Sequence, residues 1–290
     1  MNKLLACYLN GNYRVKLFED GTKVKETTED CFRASFPDSI DLKITNYCDL
    51  NCPMCHELSS SSGKEGNLNS EFLNSLKKGT ELAVGGGNPL SHKDLLSFLK
   101  RMKDKGIICN LTVNEKHLLK NMNLLQELID NKLIYGLGVS LNVVNDEVVE
   151  FAKRNNNVVF HVINGLFTDF DKIINRGLKV LILGYKMFGR GKAFYSEEIK
   201  IKMDEMSANI VNLFDKFECI SFDNLALGQL KIRDLVSEEE WESMYMGDDG
   251  EASMYIDLVE EKFARSSTSI ERYELEDDII TMFNKVKVVN

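Results

Sequence analysis

Apolar and polar residues alternate in short runs at 4–9, 13–18 and 23–28, separated by Asn10-Gly11-Asn12 and Asp20-Gly21. A period of two between turn-forming residues predicts strands joined by tight turns, so residues 1–37 read as a small β section closed by Pro37. From residue 40 the texture changes. Runs at 40–45, 81–85, 108–113, 135–141, 158–163 and 179–185 read as strands. Several, such as VVFHVI and KVLILGY, are apolar throughout, as strands covered on both faces are. Between them lie patterns of helical period at 68–78, 91–105, 115–131, 145–155 and 167–176. Ser91 stands where a helix cap belongs, ahead of a face made by Leu95, Leu96, Phe98, Leu99 and Met102.

Six strand-then-helix units in succession imply a parallel sheet, either doubly wound or curled into a barrel. A helical segment at 196–216 and a strand at 219–222 follow, then a helix at 237–246, the turn Gly247-Asp248-Asp249-Gly250, the strand-like SMYIDLV and a final helix at 275–286. There is no repeat beyond this alternation and no low-complexity tether. The chain reads as one compact unit in three sections, 1–37, 38–225 and 226–290.

Composition places this pattern in an ordinary globular class, with 43% hydrophobic and 28% charged residues among 290. No apolar run approaches the roughly 20 residues that span a bilayer, and the first residues lack the features of a secretory signal, so a cytoplasmic protein is expected. The net charge of −9 is uneven. Residues 234–278 hold 16 Asp or Glu against Lys262, Arg265 and Arg272, a balance of −13, so the rest sums to +4. Residues 171–202 carry eight Lys or Arg against Asp171, Glu197 and Glu198. That stretch is either a solvated face or a place where Lys186, Arg190 and Lys192 meet an anionic group.

Seven cysteines, at 7, 31, 48, 52, 55, 109 and 219, are odd in number, and three crowd into eight residues. A metal site with isolated thiols elsewhere fits this better than a disulfide framework. Cys48, Cys52 and Cys55 follow the first long strand with C-x3-C-x2-C spacing, close enough to wrap one centre locally. Thiolates suit zinc or iron–sulfur clusters, and structural zinc wants four ligands. His56 is poorly placed to be the fourth, and no second cysteine pair follows. Three thiolates on a four-iron cluster leave one iron open.

This loop, its preceding strand and the β/α series after it resemble the radical SAM superfamily. The resemblance implies an α/β fold, a partial (β/α)6 TIM-like barrel over 38–225 with the β section before it and an α+β extension after it. It implies a [4Fe–4S] cluster on Cys48, Cys52 and Cys55 and S-adenosylmethionine (SAM) on the open iron. The cluster's electron would cleave SAM to methionine and a 5′-deoxyadenosyl radical that abstracts hydrogen from a substrate. Gly85-Gly86-Gly87-Asn88-Pro89 ends the second strand where the family carries GGEP, which binds the SAM amino group, with Asn88 in place of Glu. The residue before the third cysteine, commonly aromatic and placed at the adenine, is Met54. By position, Ser140 and Asn142 resemble the groups that hold ribose and carboxylate; Asn164 ends the fifth strand as a further cofactor-binding candidate, and Met187 lies in the 184–191 segment after the sixth strand, which would line the adenine pocket.

Phe160, His161, Tyr185 and Asp223 are candidates for the barrel interior, although a histidine in an apolar strand is more often a core residue with its hydrogen bonds met. Cys109 reads as core. The resemblance implies a flavodoxin- or ferredoxin-type reductant as partner, and an oxidoreductase or transferase outcome. The substrate is open between a peptide or protein, with the N-terminal β section offering a strand edge, and a nucleotide or small metabolite. Nucleic acid is disfavoured by the acidic end, and no membrane partner is expected. A non-catalytic iron–sulfur or zinc protein is the alternative outside enzymology.

Overall fold

The computed structural model describes residues 3–288. β1 (Leu4–Asn10), β2 (Tyr13–Phe18) and β3 (Lys23–Glu26) form an antiparallel sheet in the order β1-β2-β3. The alternation in β2 buries Tyr13, Val15 and Leu17. Gly11, at φ +59°, is required twice over: its turn is left-handed, and a Cβ there would fall 1.8 Å from the Arg33 carbonyl oxygen. Buried Asp38 anchors the sheet, accepting from Asn10 Nδ2 at 2.7 Å and Tyr13 OH at 2.7 Å and pairing with Lys25 at 3.1 Å.

The main sheet begins with β4 (Ser39–Thr45) and continues through β5 (Glu81–Gly86), β6 (Ile108–Asn114), β7 (Gly136–Ser140), β8 (Val158–Ile163), β9 (Lys179–Leu183) and β10 (Cys219–Phe222). Each is parallel to its neighbour. On the other side of β4 lies β11 (Ser253–Asp257), also parallel, followed by antiparallel β12 (Lys262–Ala264) and β13 (Tyr273–Glu274). The acidic end of the chain thus extends the sheet itself. In a flat sheet β5 and β10 would stand about 24 Å apart. Instead, one cavity of about 340 Å³ touches Ala83, Asn110, Gly138, His161, Leu181 and Ser221, one from each strand of β5–β10. The sheet therefore curls, as a partial barrel does, and Leu17, Phe18 and Gly21 of the N-terminal section close the cavity from below. Contacts of Asn157 with the Glu19 carbonyl, Lys179 with the Asp20 carbonyl and Lys23 with Glu81 confirm that this section caps the N-terminal ends of the strands.

The helices are α1 (Leu95–Asp104), α2 (Glu115–Lys120), α3 (Met122–Asp130), α4 (Asp146–Arg154), α5 (Arg190–Phe194), α6 (Glu197–Asn209), α7 (Asn224–Gln229), α8 (Glu238–Met244) and α9 (Ile279–Val286). Several are shorter than their periodicity predicts. At 68–78 only a 3-10 turn forms, Glu71–Asn74, and at 167–176 only Phe170–Lys172, cut off by left-handed Asn175 and Gly177. Ser91 does not cap α1. It ends a separate turn, Pro89–Ser91, capped by Asn88, while Asp94 takes the N-cap position of α1 and Leu96 is exposed. The helix at 115–131 breaks at Asn121, whose amide donates to the His117 carbonyl at 2.8 Å. The helix at 196–216 tightens to a 3-10 turn after Asn209.

One apolar core runs through all of this, and α9 buries Ile279, Met282, Phe283 and Val286 in it. Replacing Phe283 by Ala should cost about 3–5 kcal/mol. Denaturant unfolding followed by circular dichroism should show a lower midpoint in a single transition, because the described residues after 226 share the core of the sheet.

Candidate active site

β4 ends at Thr45, and a second segment closes the loop that follows. Asn46 N–H donates to the Lys64 carbonyl, Ser60 N–H to the Asn46 carbonyl and Cys48 N–H to the Ser60 carbonyl, all within 3.0 Å. The excursion between these contacts carries Cys48, Cys52 and Cys55 at the C-terminal end of the sheet. Arg190 fixes it from α5. Its Nε donates to the Cys52 carbonyl at 3.0 Å, its Nη2 to the Ser59 carbonyl at 2.7 Å and its backbone N–H to the Cys55 carbonyl at 3.1 Å. The flanking glycines permit this approach: a Cβ on Gly189 would lie 2.3 Å from the His56 oxygen, and one on Gly191 2.4 Å from the Lys186 oxygen. Arg190 thus has Nε and Nη2 engaged by loop carbonyls. Most of the basic stretch is matched locally: Lys172 with Asp169, Arg176 with Asp146 and Glu150, Lys179 with Glu218, Lys200 with Glu197 and Lys202 with Glu198.

All seven cysteines are free thiols. Burial pushes the Cys48 and Cys52 thiols up, against which the Leu50 and Asn51 backbone N–H groups favour the Cys48 thiolate. Cys109, buried in β6, is pushed up to about 12 by desolvation and is inert core. The donor set of the loop, three soft sulfurs on one short segment, fits an iron–sulfur cluster with one open iron. Asp49 and His117 also come within 4.8 Å of Cys48, but Asp49 is already held by His117 Nε2 at 2.6 Å and Lys120 at 3.3 Å. His56 turns away, with Nε2 3.3 Å from Glu57 Oε1 and 3.5 Å from Lys186 Nζ.

Below the loop lies an ionic network that sequence reasoning missed. Lys43, buried on β4, pairs with Glu57 Oε2 at 2.9 Å and with Asp257 Oδ2 of β11 at 3.0 Å. The Tyr255 hydroxyl donates to Glu57 Oε2 at 3.2 Å. Arg272 lies over the Tyr255 ring, 5.1 Å from its centre, and donates to the Ser267 carbonyl, while Lys186 donates to Ser267 Oγ at 2.9 Å. Burial opposes ionisation of Glu57, yet the His56 and Lys43 contacts outweigh it and hold the carboxyl well below the usual carboxylate range. The available signals were a lysine inside the apolar run IDLKIT, a glutamate two residues after the last cysteine of the loop and an aspartate inside SMYIDLV. Nothing local linked them.

The other expected residues spread over the strand ends. Gly85 faces the interior with only Thr112 within 4 Å of an added Cβ. Gly86 and Gly87 press on the Thr45 and Tyr47 carbonyls, whose oxygens would lie 2.2 Å and 2.1 Å from a Cβ at each position, so packing alone accounts for them. The Gly87 and Asn88 N–H groups donate to those same carbonyls, and Asn88 Oδ1 accepts from Leu90 N–H. Met54 and Asn142 share the wall of a cavity of about 580 Å³ with Ile163, Gly165 and Phe194. Ser140 is half-buried beside His161. Asn164 is buried and donates to Gln229 Oε1 of α7 at 3.1 Å, and Met187 is exposed.

Of the interior candidates, His161 lines the lumen, its ring where a Cβ of Gly138 would be, and burial holds it at about 4, reinforced by Lys186. It is a neutral lumen residue and not part of the apolar core. Asp41 also faces the interior, open to water yet enclosed by protein. Burial raises its carboxyl, with Lys186 opposing. Phe160 packs into the core, the Tyr185 hydroxyl donates to the Gly191 carbonyl at 2.7 Å, and Asp223 caps α7.

A curled parallel sheet with a three-thiol loop after its first long strand defines the class. No family model matches the chain. Over 135 residues it is 29% identical to a Methanocaldococcus jannaschii protein named Probable GTP 3',8-cyclase, covering 44% of this chain and 44% of that protein. The chain thus matches less than half the length of this curated relative. Its structure is similar to SuiB of Streptococcus suis, with a TM-score of 0.60 at 12% identity over 98% of this chain and 87% of that one. SuiB bound to its precursor peptide SuiA gives 0.60 at 15% identity over 87% and 65%, and SuiB bound to S-adenosylmethionine 0.55 at 14% over 83% and 64%. The structural likeness establishes the fold. Sequence and fold together support the radical SAM superfamily and reach no subfamily.

Two outcomes follow from this geometry. Because the folded-state carboxyl of Glu57 is depressed, its stabilising effect is present above the unfolded value of about 4.3 and fades as pH falls below it. The stability gap between wild type and Glu57→Gln in denaturant titrations should therefore be wide at pH 7 and narrow steadily once pH falls below about 4, without closing by pH 3. Arg190→Ala should leave the global unfolding midpoint nearly unchanged while lowering the iron retained after anaerobic reconstitution severalfold, measured by metal analysis.

Proposed function

We propose that this protein is a radical SAM enzyme whose [4Fe–4S] cluster is held by Cys48, Cys52 and Cys55. The carrying observation is the position of these thiols: one closed loop, at the C-terminal end of a curled parallel sheet, where barrel enzymes place their chemistry. When bound, the cluster and SAM supply a 5′-deoxyadenosyl radical that abstracts hydrogen from the substrate. The chain's part is to hold and shield. Arg190 and the 46–64 contacts fix the loop. Gly85, with open space toward the interior, Met54 and Asn142 at the 580 Å³ cavity, and Ser140 at its strand end would line the SAM site. Gly86, Gly87 and Asn88 would shape the turn beside it. Asn164 and Met187 would sit at its periphery, Asn164 through α7.

For the substrate we favour a peptide or protein, on the fold shared with SuiB, which has been captured with its precursor peptide. The edge of β1–β3 lies at the opposite end of the barrel from the cysteines, so that sheet would support the lumen and the 253–272 segment would form the substrate wall, through Tyr255, Ser267 and Arg272. The relative named as a GTP cyclase supports a second reading, a nucleotide substrate. A flavodoxin- or ferredoxin-type reductant would deliver the electron, in a cytoplasmic setting; among the described residues no helix is long and apolar enough to cross a membrane.

The test is anaerobic reconstitution with iron and sulfide, reduction in the presence of SAM, and chromatography for 5′-deoxyadenosine. We expect about four irons per chain and 5′-deoxyadenosine from the wild type, and neither from Cys48→Ala, Cys52→Ala or Cys55→Ala. Zinc in place of iron with no SAM cleavage, or cleavage that survives these substitutions, would overturn the proposal.

A further inference from the structure

We infer that Glu115 is the carboxylate that receives the ammonium group of SAM, an inference that rests on the SAM reading above. Glu115 follows β6 directly and opens α2, and only 2% of it is exposed. Carboxylates are rarely this buried without a cation, yet Glu115 takes part in no ion pair among the described residues. Its Oε2 accepts from Asn142 Nδ2 at 3.2 Å, and its Oε1 has no hydrogen-bond partner; burial raises the carboxyl, with the Glu115 and Asn142 backbone N–H groups and the Asn142 side chain opposing. A buried acceptor left unmade is costly, and a charged one more so. Cys52 stands within electrostatic reach, so the charge of Glu115 and that of a thiolate there repel. Lys116 offsets part of this charge from the next position but makes no ion pair with Glu115, so what Oε1 lacks is a direct donor.

The place where the resemblance puts the ammonium does not supply its counter-charge. Asn88 is neutral, and its carbonyl oxygen already accepts from Leu90 N–H. The neighbouring N–H groups of Gly87 and Asn88 are donors and are themselves taken by the Thr45 and Tyr47 carbonyls. Glu115 follows β6, the next strand of the sheet, and is tied by Asn142 to the segment just after β7, beside the cysteine loop. An ammonium group there satisfies Oε1 and offsets the negative charge beside the thiolates.

The test separates the amino-acid half of SAM from its nucleoside half. Equilibrium binding of SAM and of 5′-methylthioadenosine, which has no ammonium group, is measured on the reconstituted protein. Glu115→Gln should weaken SAM by tenfold or more, leave 5′-methylthioadenosine within twofold and leave the iron content unchanged. Glu115→Asp, which keeps the charge on a shorter arm, should restore part of the loss. Equal weakening of both ligands would assign Glu115 a structural role through Asn142 and overturn the inference, as would unaltered SAM affinity in Glu115→Gln. A wild-type protein that carries the cluster but binds no SAM would instead overturn the reading on which the inference rests.

Discussion

Lys43 is the residue on which the architecture of the site turns. It sits in β4, the strand that leads into the cysteine loop, and its ammonium group joins Glu57 from the far side of that loop to Asp257 from β11. Two carboxylates and one lysine are withdrawn from water together, which is tolerable only because each answers the others and Tyr255 adds a further donor to Glu57. Without the lysine, two buried carboxylates would face each other. With it, the start of the loop, its end and the acidic C-terminal segment are held in one register.

From this point the construction spreads in two directions. Upward, Glu57 engages His56, and the Gly189-Arg190-Gly191 turn lies against the same stretch of backbone, so the loop is held on its carbonyl side while its sulfurs stay available. Sideways, Asp257 lies on β11, the parallel neighbour of β4, which makes β11–β13 part of the sheet and brings Ser267 and Arg272 to the site. The N-terminal section does the opposite job. Anchored on Asp38, it closes the lumen at the end away from the thiols, so the interior is approached from the cysteine side.

Much of this was legible along the chain because the information is local. Strands β4–β10 follow from apolar runs between turn residues, and the cysteine spacing needs only eight residues to be read. The losses have local causes too. Asn121 and left-handed Asn175 end helices whose apolar period continues past them, and Asn88 with Pro89 forms a turn of its own ahead of α1. What periodicity could not carry is pairing over distance. Lys43 with Asp257, Lys186 with Ser267 and Arg190 with Cys52 are joined by sheet topology, and nothing in the local sequence of any of them names its partner. The same limit explains why the strand edge of β1–β3 could be recognised but not placed relative to the thiols.

The chemistry proposed for this chain depends on an iron that the protein leaves open to SAM. Electron paramagnetic resonance of the dithionite-reduced, reconstituted protein, recorded with and without SAM, tests this most directly. The expected spectrum is that of a reduced four-iron cluster whose g values shift when SAM is added. A cluster signal untouched by saturating SAM, or a loop that takes up zinc and gives no signal, would contradict it.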